Sequence, residues 1–211
     1  MKFNASGIET FDVFLNDFDG NRTNDIVLSY YDEGEQYPVR GRECSSQQMP
    51  SIKEKFKNYD AFSKATLIDV YDEKKLKNSI HYQISSFKSA VFINEGGTFT
   101  RKDLPLKAQL APTNQILVAD FDLDGTKDSG LGGNLYASEV ETPRADAGYG
   151  TFLKGGSNTD FKTLDPQETG LYMDGDVKDL AMIMVKGKSY ILVAKNKNFL
   201  EFITVKNKIS L

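Results

Sequence analysis

The chain has 211 residues and a net charge of −4, with 39% hydrophobic and 27% charged residues. This length is enough for one large domain or two small ones with a sizeable core. The sequence contains no basic patch of the size that binds nucleic acid and no apolar stretch long enough to span a membrane. Nucleic-acid binding and membrane insertion are therefore not expected.

The first predicted elements are two strands separated by an acidic loop. Residues 11–15 and 26–31 are rich in apolar and aromatic side chains, and an aspartate-containing loop, residues 17–25, lies between them. Residues 37–42 are expected to be extended. The chain therefore begins with the pattern of a β protein.

Residues 50–80 change to the spacing of short helices. Ser51 and Glu54 are placed as in a capping box, the motif that begins many helices. Lysines are frequent in this region, and we expect them on a solvated face or, alternatively, on a surface that docks a partner. The sequence thus predicts a short helical insertion near residues 50–80 in an otherwise β chain.

Strands resume after this insertion, and part of the pattern repeats. Strands are predicted at residues 80–84 and 89–93, followed by a glycine turn at residues 94–99. A second acidic loop begins at Asp120, and a similar glycine turn occurs at residues 153–161. The shared order of loop, strand and glycine turn indicates an internal repeat.

The last part of the chain predicts a third unit that lacks an acidic loop. Residues 181–185 and 190–194 have the pattern of two strands, and the turn between them contains two lysines where acids would be expected. Residues 200–205 are predicted to be the last strand. Calcium binding is not expected in this third unit.

The two acidic loops place oxygen ligands at the same positions, 1, 3, 5, 7 and 9. Oxygen-only ligands at alternating positions suit a hard cation, above all Ca²⁺. Without a cation, carboxylates so close together would repel one another. The predicted metal ligands are Asp17, Asp19, Asn21, Thr23 and Asp25 in the first loop and Asp120, Asp122, Asp124, Thr126 and Asp128 in the second.

Both loops lie between strands, and neither has the glutamate at position 12 or the flanking helices of an EF-hand. They therefore predict two structural Ca²⁺ ions at strand corners, and two such ions would neutralise the net charge of the chain. The alternative is an acidic turn without an ion. The second loop is expected to be the more secure site, because Arg22 and Asn21 remove a glycine and a charge from the first loop.

A polar and aromatic cluster is predicted in the glycine-containing loop near residue 145. It either contacts a glycan or peptide ligand or forms an internal salt-bridged corner, since arginine and tyrosine suit both roles. The cluster consists of Glu141, Arg144, Asp146 and Tyr149. The same two interpretations apply to the tyrosines Tyr30, Tyr31 and Tyr37.

The sequence predicts no catalytic residue. His81 is the only histidine and lies in a predicted strand, where a packed or surface role is expected. Cys44, the only cysteine, excludes an internal disulfide framework and has no Cys–His spacing that would support a nucleophile. No pair of acids outside the loops can be placed in a cleft, as a glycosidase requires. We therefore expect a protein that is not an enzyme.

Strands repeated with such aspartate loops and glycine–phenylalanine turns resemble the FG-GAP/VCBS repeat family of β-propellers, which includes the integrin-like calcium loops. Residues 37–50 and 141–150, with the helical segment between strands, are similar to VCBS-repeat proteins of Bacteroidetes, often described alongside ASPIC/UnbV proteins. The resemblance covers roughly residues 10–205. It implies four-stranded blades, Ca²⁺ held by the loop residues named above, an exported location and a role in binding or cell adhesion.

The chain departs from this family in size, because it has about three units whereas closed propellers usually have four to eight blades. We therefore expect residues 1–211 to form a single propeller-like domain or the C-terminal part of a larger propeller. Its open edges would be covered by the remaining blades or by another copy of the chain.

The expected location is extracellular, cell-surface or periplasmic, and it rests on the resemblance alone. The beginning of the chain lacks the apolar core of a signal peptide. The protein is then either intracellular or a piece cut from a longer secreted precursor.

The leading hypothesis is a non-enzymatic calcium-binding module for extracellular binding or cell adhesion, with a protein or glycan ligand. The alternative is a scaffold or carbohydrate-contacting module of a polysaccharide-handling enzyme or complex. A third possibility is an architectural fragment whose only partner is the rest of its own propeller.

Overall fold

The structure is a computed structural model that describes residues 3–138 and 143–206. The described residues are mostly β, as predicted, and form four antiparallel sheets, none of which closes on itself. The chain divides into two compact units, Met1–Phe87 and Lys88–Leu211. None of the described helices has the length and apolar character needed to cross a membrane.

The first unit contains a four-stranded sheet with the spatial order β3–β2–β1–β4. Its strands are β1 (Phe11–Asn16), β2 (Asp25–Asp32), β3 (Glu35–Pro38) and β4 (Ile80–Ile84). The pairing of Asn16 with Asp25 closes the β1–β2 corner. The first acidic loop therefore sits at the end of the two central strands.

Five short helices lie between β3 and β4, and they begin earlier than residue 50. They are α1 (Arg42–Gln48), α2 (Ser51–Lys55), α3 (Tyr59–Ser63), α4 (Leu67–Val70) and α5 (Glu73–Lys77). The expected extended segment at residues 37–42 is wrong at its end, because α1 begins at Arg42. The capping box expected at Ser51 is also wrong, since the N-cap of α2 is Pro50, and a capping box instead joins Thr66 and Asp69.

Helices of four to seven residues are not stable alone in water, so tertiary packing has to hold them. Their apolar side chains pack with Phe14 and Val27 of the sheet and with Phe18 of the acidic loop. The members of this core from the helices and the residues that join them are Met49, Ile52, Phe56, Phe62, Ala65, Leu67, Val70, Tyr71 and Leu76. The first acidic loop is thus anchored in the core of its unit.

The second unit contains a hairpin, a four-stranded meander and a three-stranded meander. The hairpin is β5 (Ala90–Glu95) and β6 (Thr98–Asp103). The four-stranded sheet is β7 (Thr113–Ala119), β8 (Asp128–Gly133), β9 (Thr151–Gly155) and β10 (Phe161–Leu164), and the three-stranded sheet is β11 (Val177–Val185), β12 (Lys188–Lys195) and β13 (Glu201–Thr204). Short helical turns occur at Leu106–Gln109, Ser157–Thr159 and Pro166–Thr169, the last labelled α6.

The two meanders of the second unit pack against each other through apolar side chains. Leu117, Phe121 and Phe152 contact a buried cluster on and beside the three-stranded sheet, which includes Leu180 and Val193. Gly132 of strand β8 permits this close approach, because a Cβ there would lie 2.8 Å from Val177 Cγ1 and 3.0 Å from Leu180 Cδ1. This packing fixes the β7–β8 corner, where the second acidic loop lies.

Candidate metal centre

The two acidic loops occupy equivalent places in their sheets. The first connects β1 to β2, and the second connects β7 to β8. Each is closed by a strand pair that includes the last loop residue: Asn16 pairs with Asp25, and Ala119 pairs with Asp128. The repeat predicted from the sequence therefore corresponds to two strand–loop–strand corners of the same kind.

In the first loop the side chain at position 1 organises the turn. The Asp17 carboxylate accepts hydrogen bonds from the backbone N–H groups of Gly20 (2.7 Å), Asn21 (3.0 Å) and Arg22 (2.8 Å). The N–H of Thr23 donates to Asn21 Oδ1 at 2.7 Å. The three hydrogen bonds to the Asp17 carboxylate hold its pKa below the usual value, and the bond from Arg22 N–H is the largest cause.

The second loop makes the matching hydrogen bonds at the same positions. Asp120 accepts from the backbone N–H groups of Asp124 (3.1 Å) and Gly125 (2.9 Å). The N–H of Thr126 donates to Asp124 Oδ1 at 2.8 Å. The two nine-residue sequences therefore fold into the same backbone turn.

The turn requires a positive φ angle at positions 4 and 6. In the first loop these residues are Gly20 (φ 82°) and Arg22 (φ 69°), and in the second they are Leu123 (φ 63°) and Gly125 (φ 90°). Each loop thus has glycine at one of the two positions and a side-chain residue in the left-handed region at the other. Arg22 adopts the required conformation, at a cost of about 1 kcal/mol relative to glycine.

Carboxylates gather in both loops closely enough to hold a metal ion. Within the described residues, two groups have their ligand oxygens within 4.8 Å of one another. The first group is Asp17, Asp19 and Asp25, and the second is Asp120, Asp122 and Asp124. Position 9 belongs to the group in the first loop, whereas position 5 takes part in the second.

The position-9 aspartates are buried and bind the backbone across the corner. Asp25 Oδ2 accepts from Phe18 N–H at 2.9 Å, and Asp128 Oδ2 accepts from Phe121 N–H at 3.0 Å. Their relative exposures are 2% and 0%. Asp25 nevertheless belongs to the acidic group of its loop, whereas Asp128 does not.

The remaining oxygen of each position-9 aspartate has a different partner in the two loops. Asp25 Oδ1 accepts from Gln48 Nε2 of α1 at 3.1 Å. Asp128 Oδ1 accepts from the backbone N–H of Gly155 in β9 at 2.9 Å. The second hydrogen bond of the position-9 aspartate thus comes from a helix for the first loop and from a neighbouring strand for the second.

A lysine lies against the acidic group of the second loop. Lys154 of β9 binds the Asp122 carboxylate and lies 3.0 Å from Asp124 Oδ2. The two carboxylates, Asp122 first, raise the pKa of Lys154, and the ammonium group is the largest cause that lowers the pKa of Asp124. A metal ion at this group would compete with the ammonium group for the same carboxylates.

The first loop also contacts a lysine, but through the backbone. Lys75 Nζ of α5 donates to the carbonyl oxygen of Phe18 at 2.7 Å, and Asn16 Nδ2 donates to the Lys75 carbonyl at 2.8 Å. The Lys75 charge contributes only a minor part of the lowered pKa of Asp17. Lys75 therefore supports the backbone of the first loop and does not bind its acidic group.

Lys154, Lys75 and Gln48 were not predicted from the sequence. They lie between 23 and 57 residues from the groups they contact. The glycine turn expected at residues 153–161 assigned Lys154 to a turn, whereas it lies in β9. Only the strand register, which pairs Ser129 with Leu153, brings it to the loop.

The predicted polar cluster near residue 145 is partly described. Arg144 Nε donates to Asp146 Oδ2 at 2.7 Å, and its guanidinium lies 4.5 Å from the centre of the Tyr136 ring. Glu141 lies outside the described residues. The arginine is therefore held by an internal ion pair and by an aromatic face.

Tyr149 belongs to a separate aromatic pair. Its ring stacks on Tyr172 with centroids 5.3 Å apart and an angle of 18°, and about half of each side chain is exposed. The buried Asn134 fixes the two segments, since its Nδ2 donates to the carbonyl oxygens of Gly148 and Gly175, both at 2.8 Å. The result is a firmly supported aromatic surface.

The remaining residues weighed for catalysis are His81 and Cys44. The His81 ring stacks on Phe14 at 4.2 Å, and its Nε2 lies 3.6 Å from Asp12 Oδ1. Cys44 is half-buried in α1.

Comparison of the chain with protein-family models, curated proteins and solved structures finds no match. The resemblance to the FG-GAP/VCBS family therefore stays a prediction.

Proposed function

We propose that the chain is a non-enzymatic calcium-binding module of the FG-GAP/VCBS type, with a propeller-like arrangement of sheets and a role in binding or adhesion outside the cell. The observation that carries this proposal is the pair of acidic loops. They share ligand spacing, backbone turn, hydrogen bonds and strand context. A turn that occurs twice with its carboxylates gathered is the arrangement expected where each loop holds an ion.

The donor groups fit Ca²⁺ in kind and in spacing. Calcium takes oxygen ligands at about 2.3–2.6 Å, so two ligands of one ion lie at most about 5 Å apart. The carboxylate oxygens of each group lie within 4.8 Å of one another. Asp17, Asp19 and Asp25 would hold the ion in the first loop, and Asp120, Asp122 and Asp124 would hold it in the second.

A bound ion would act here as a structural element. It would neutralise the gathered carboxylates and fix the corner between two strands, so that neighbouring loops keep their shape for a partner. The four-stranded and three-stranded meanders of the second unit support a blade-like arrangement, because each runs antiparallel in chain order and they pack face to face.

A second candidate function is carbohydrate contact within a polysaccharide-handling enzyme or complex. The specific observation in its favour is the stacked, half-exposed pair Tyr149 and Tyr172. Exposed tyrosines on a rigid support are common at binding surfaces, because they offer apolar area and a hydrogen-bonding hydroxyl at a small entropic cost.

The calcium proposal is tested by thermal unfolding with Ca²⁺ in excess and with a chelator. Extracellular-type sites bind with dissociation constants of about 10⁻⁴ to 10⁻³ M, and at 100 times that constant one site adds about 2.7 kcal/mol. We expect a rise in melting temperature of several degrees for the wild type. Asp19→Asn and Asp122→Asn should each remove the part that belongs to its own loop.

The matched control is Asp160→Asn, which removes an exposed charge from the second unit outside the loop. It should keep the full response to calcium. A wild-type protein whose melting temperature is the same in calcium and in chelator would end the calcium proposal. A glycan array with Tyr149→Ala and Tyr172→Ala, beside a turnover screen on polysaccharides, would separate the two candidate functions.

A further inference from the structure

The first unit contains an open cavity that neither acidic loop uses. Its volume is about 410 Å³, within the range of small-ligand sites. It lies between the beginning of the described chain and the end of β2. The described residues that line it are Phe3, Asn4, Ala5, Ser6, Glu9, Tyr30, Tyr31, Asp32 and Glu33.

One wall of the cavity is aromatic and is fixed by further rings behind it. The Phe3 and Tyr30 rings lie 4.9 Å apart at an angle of 47°. Phe3 also contacts Phe11 at 5.7 Å, and Tyr30 contacts Tyr37 at 6.2 Å. The aromatic wall is therefore part of a packed cluster.

The rest of the lining is acidic or neutral. Glu9, Asp32 and Glu33 carry carboxylates, and none of the described lining residues is basic. Burial raises the pKa of the Tyr31 hydroxyl, and the negative charges of Asp12 and Glu9 raise it further. The described lining residues therefore carry a net negative charge.

These carboxylates are not arranged for a metal ion. Among the described residues, the acidic groups whose oxygens gather within 4.8 Å are those of the two loops, and none includes Glu9, Asp32 or Glu33. This wider spacing favours a ligand whose hydrogen-bond donors are spread over a larger body than a single metal ion. Aromatic faces also attract cations, and a cation held between rings and carboxylates gains from both.

We propose that this cavity binds an organic cation, namely an alkylammonium or guanidinium group of the size of a lysine or arginine side chain. The aromatic wall contacts the apolar stem and one face of the charged group, and the carboxylates accept its hydrogen bonds. The site is independent of calcium and stands whether or not the acidic loops bind a metal.

The proposal is tested by calorimetric titration of the full chain with N-acetyl-arginine methylamide. The control ligand is the citrulline derivative, which has nearly the same shape and no charge. We expect the arginine derivative to bind at least about tenfold more tightly. Glu9→Gln should weaken its binding about two- to fivefold, the effect of one partly exposed charge pair, whereas Glu54→Gln on α2, outside the cavity, should leave it unchanged.

The source of the cation is distinguished by titrating the same arginine within a pentapeptide. Similar affinities for the derivative and the peptide indicate a small-molecule ligand, and clearly tighter binding of the peptide indicates a protein partner; both support the site. Equal affinity for arginine and citrulline would overturn the proposal. A dissociation constant above about 10 mM for the arginine derivative would also overturn it, provided that thermal unfolding shows the protein sample to be folded.

Discussion

The two acidic loops have the same internal structure but different supports. Within each loop, the position-1 aspartate accepts the N–H groups of positions 5 and 6, and position 7 donates to the side chain at position 5. Outside the loop, Gln48 of α1 completes the bonding of Asp25, whereas Gly155 of β9 completes that of Asp128. The turn is specified locally, and its support comes from whichever element packs beside it.

The neighbouring elements also place a lysine differently beside each loop. Lys154 lies against the carboxylates Asp122 and Asp124 of the second loop. Beside the first loop, Lys75 of α5 binds a backbone carbonyl instead. The two loops have the same backbone turn, but we expect them to differ in metal affinity. The cause is the position of a lysine that lies outside each nine-residue loop.

The largest expected effect comes from removing the buried aspartate at position 9. In the presence of chelator, Asp128→Ala should lower the free energy of unfolding by about 2–4 kcal/mol, because two buried N–H groups, those of Phe121 and Gly155, lose a charged acceptor. Asp25→Ala should cost about 1 kcal/mol less, since it orphans one backbone N–H and a flexible Gln48 side chain. Urea unfolding measures both values.

Asp160→Ala is the control for the loss of an exposed carboxylate, and it should change the free energy of unfolding by less than about 0.5 kcal/mol. Equal losses in Asp25→Ala and Asp128→Ala would contradict the idea that the two supports differ.

The sequence predicted the place of both loops between strands because that information is local. Acidic and polar side chains at alternating positions and apolar strands on both sides are all read within about twenty residues. The left-handed conformation at Leu123 was not anticipated, because a leucine rarely adopts φ 63° and only the hydrogen bonds of the turn enforce it. The weakening expected from Arg22 was based on the residue type alone, yet Arg22 takes the same conformation as Gly125.

The supports could not be predicted because they depend on long-range packing. Lys154 reaches the second loop only through the register of β8 with β9. The start of the helical region at Arg42 was missed because each helix is too short to carry a clear periodic signal and is held by tertiary burial. Residues far apart in the chain thus complete a site whose centre is local.

The next effect concerns the competing lysine of the second loop. Lys154→Met removes the ammonium group that a bound ion would have to displace from Asp122 and Asp124, and it keeps an apolar side chain. We expect the calcium affinity of the second loop to rise about threefold to tenfold. Calcium titration in the background of Asp19→Asn, which disables the first loop, isolates this change.

Lys75→Met is the matched substitution for the first loop, measured in the Asp122→Asn background. Because Lys75 binds a carbonyl oxygen and not the acidic group, calcium affinity should change by less than about twofold. A similar rise for both lysine variants would mean that general charge, and not contact with the carboxylates, sets the affinity.

The smallest effect concerns the conformational cost at position 6, which is Arg22 in the first loop and Gly125 in the second. Gly125→Ala should destabilise the second unit by about 1 kcal/mol, because alanine disfavours φ 90° while open space surrounds the position, so that no clash contributes. Arg22→Gly should stabilise the first unit by about 0.5 kcal/mol, since relief of the strained φ exceeds the entropy gained by the unfolded chain. Urea unfolding in chelator would record opposite signs for the two changes. Destabilisation by Arg22→Gly would instead reveal that the arginine side chain stabilises its loop by a contact of its own.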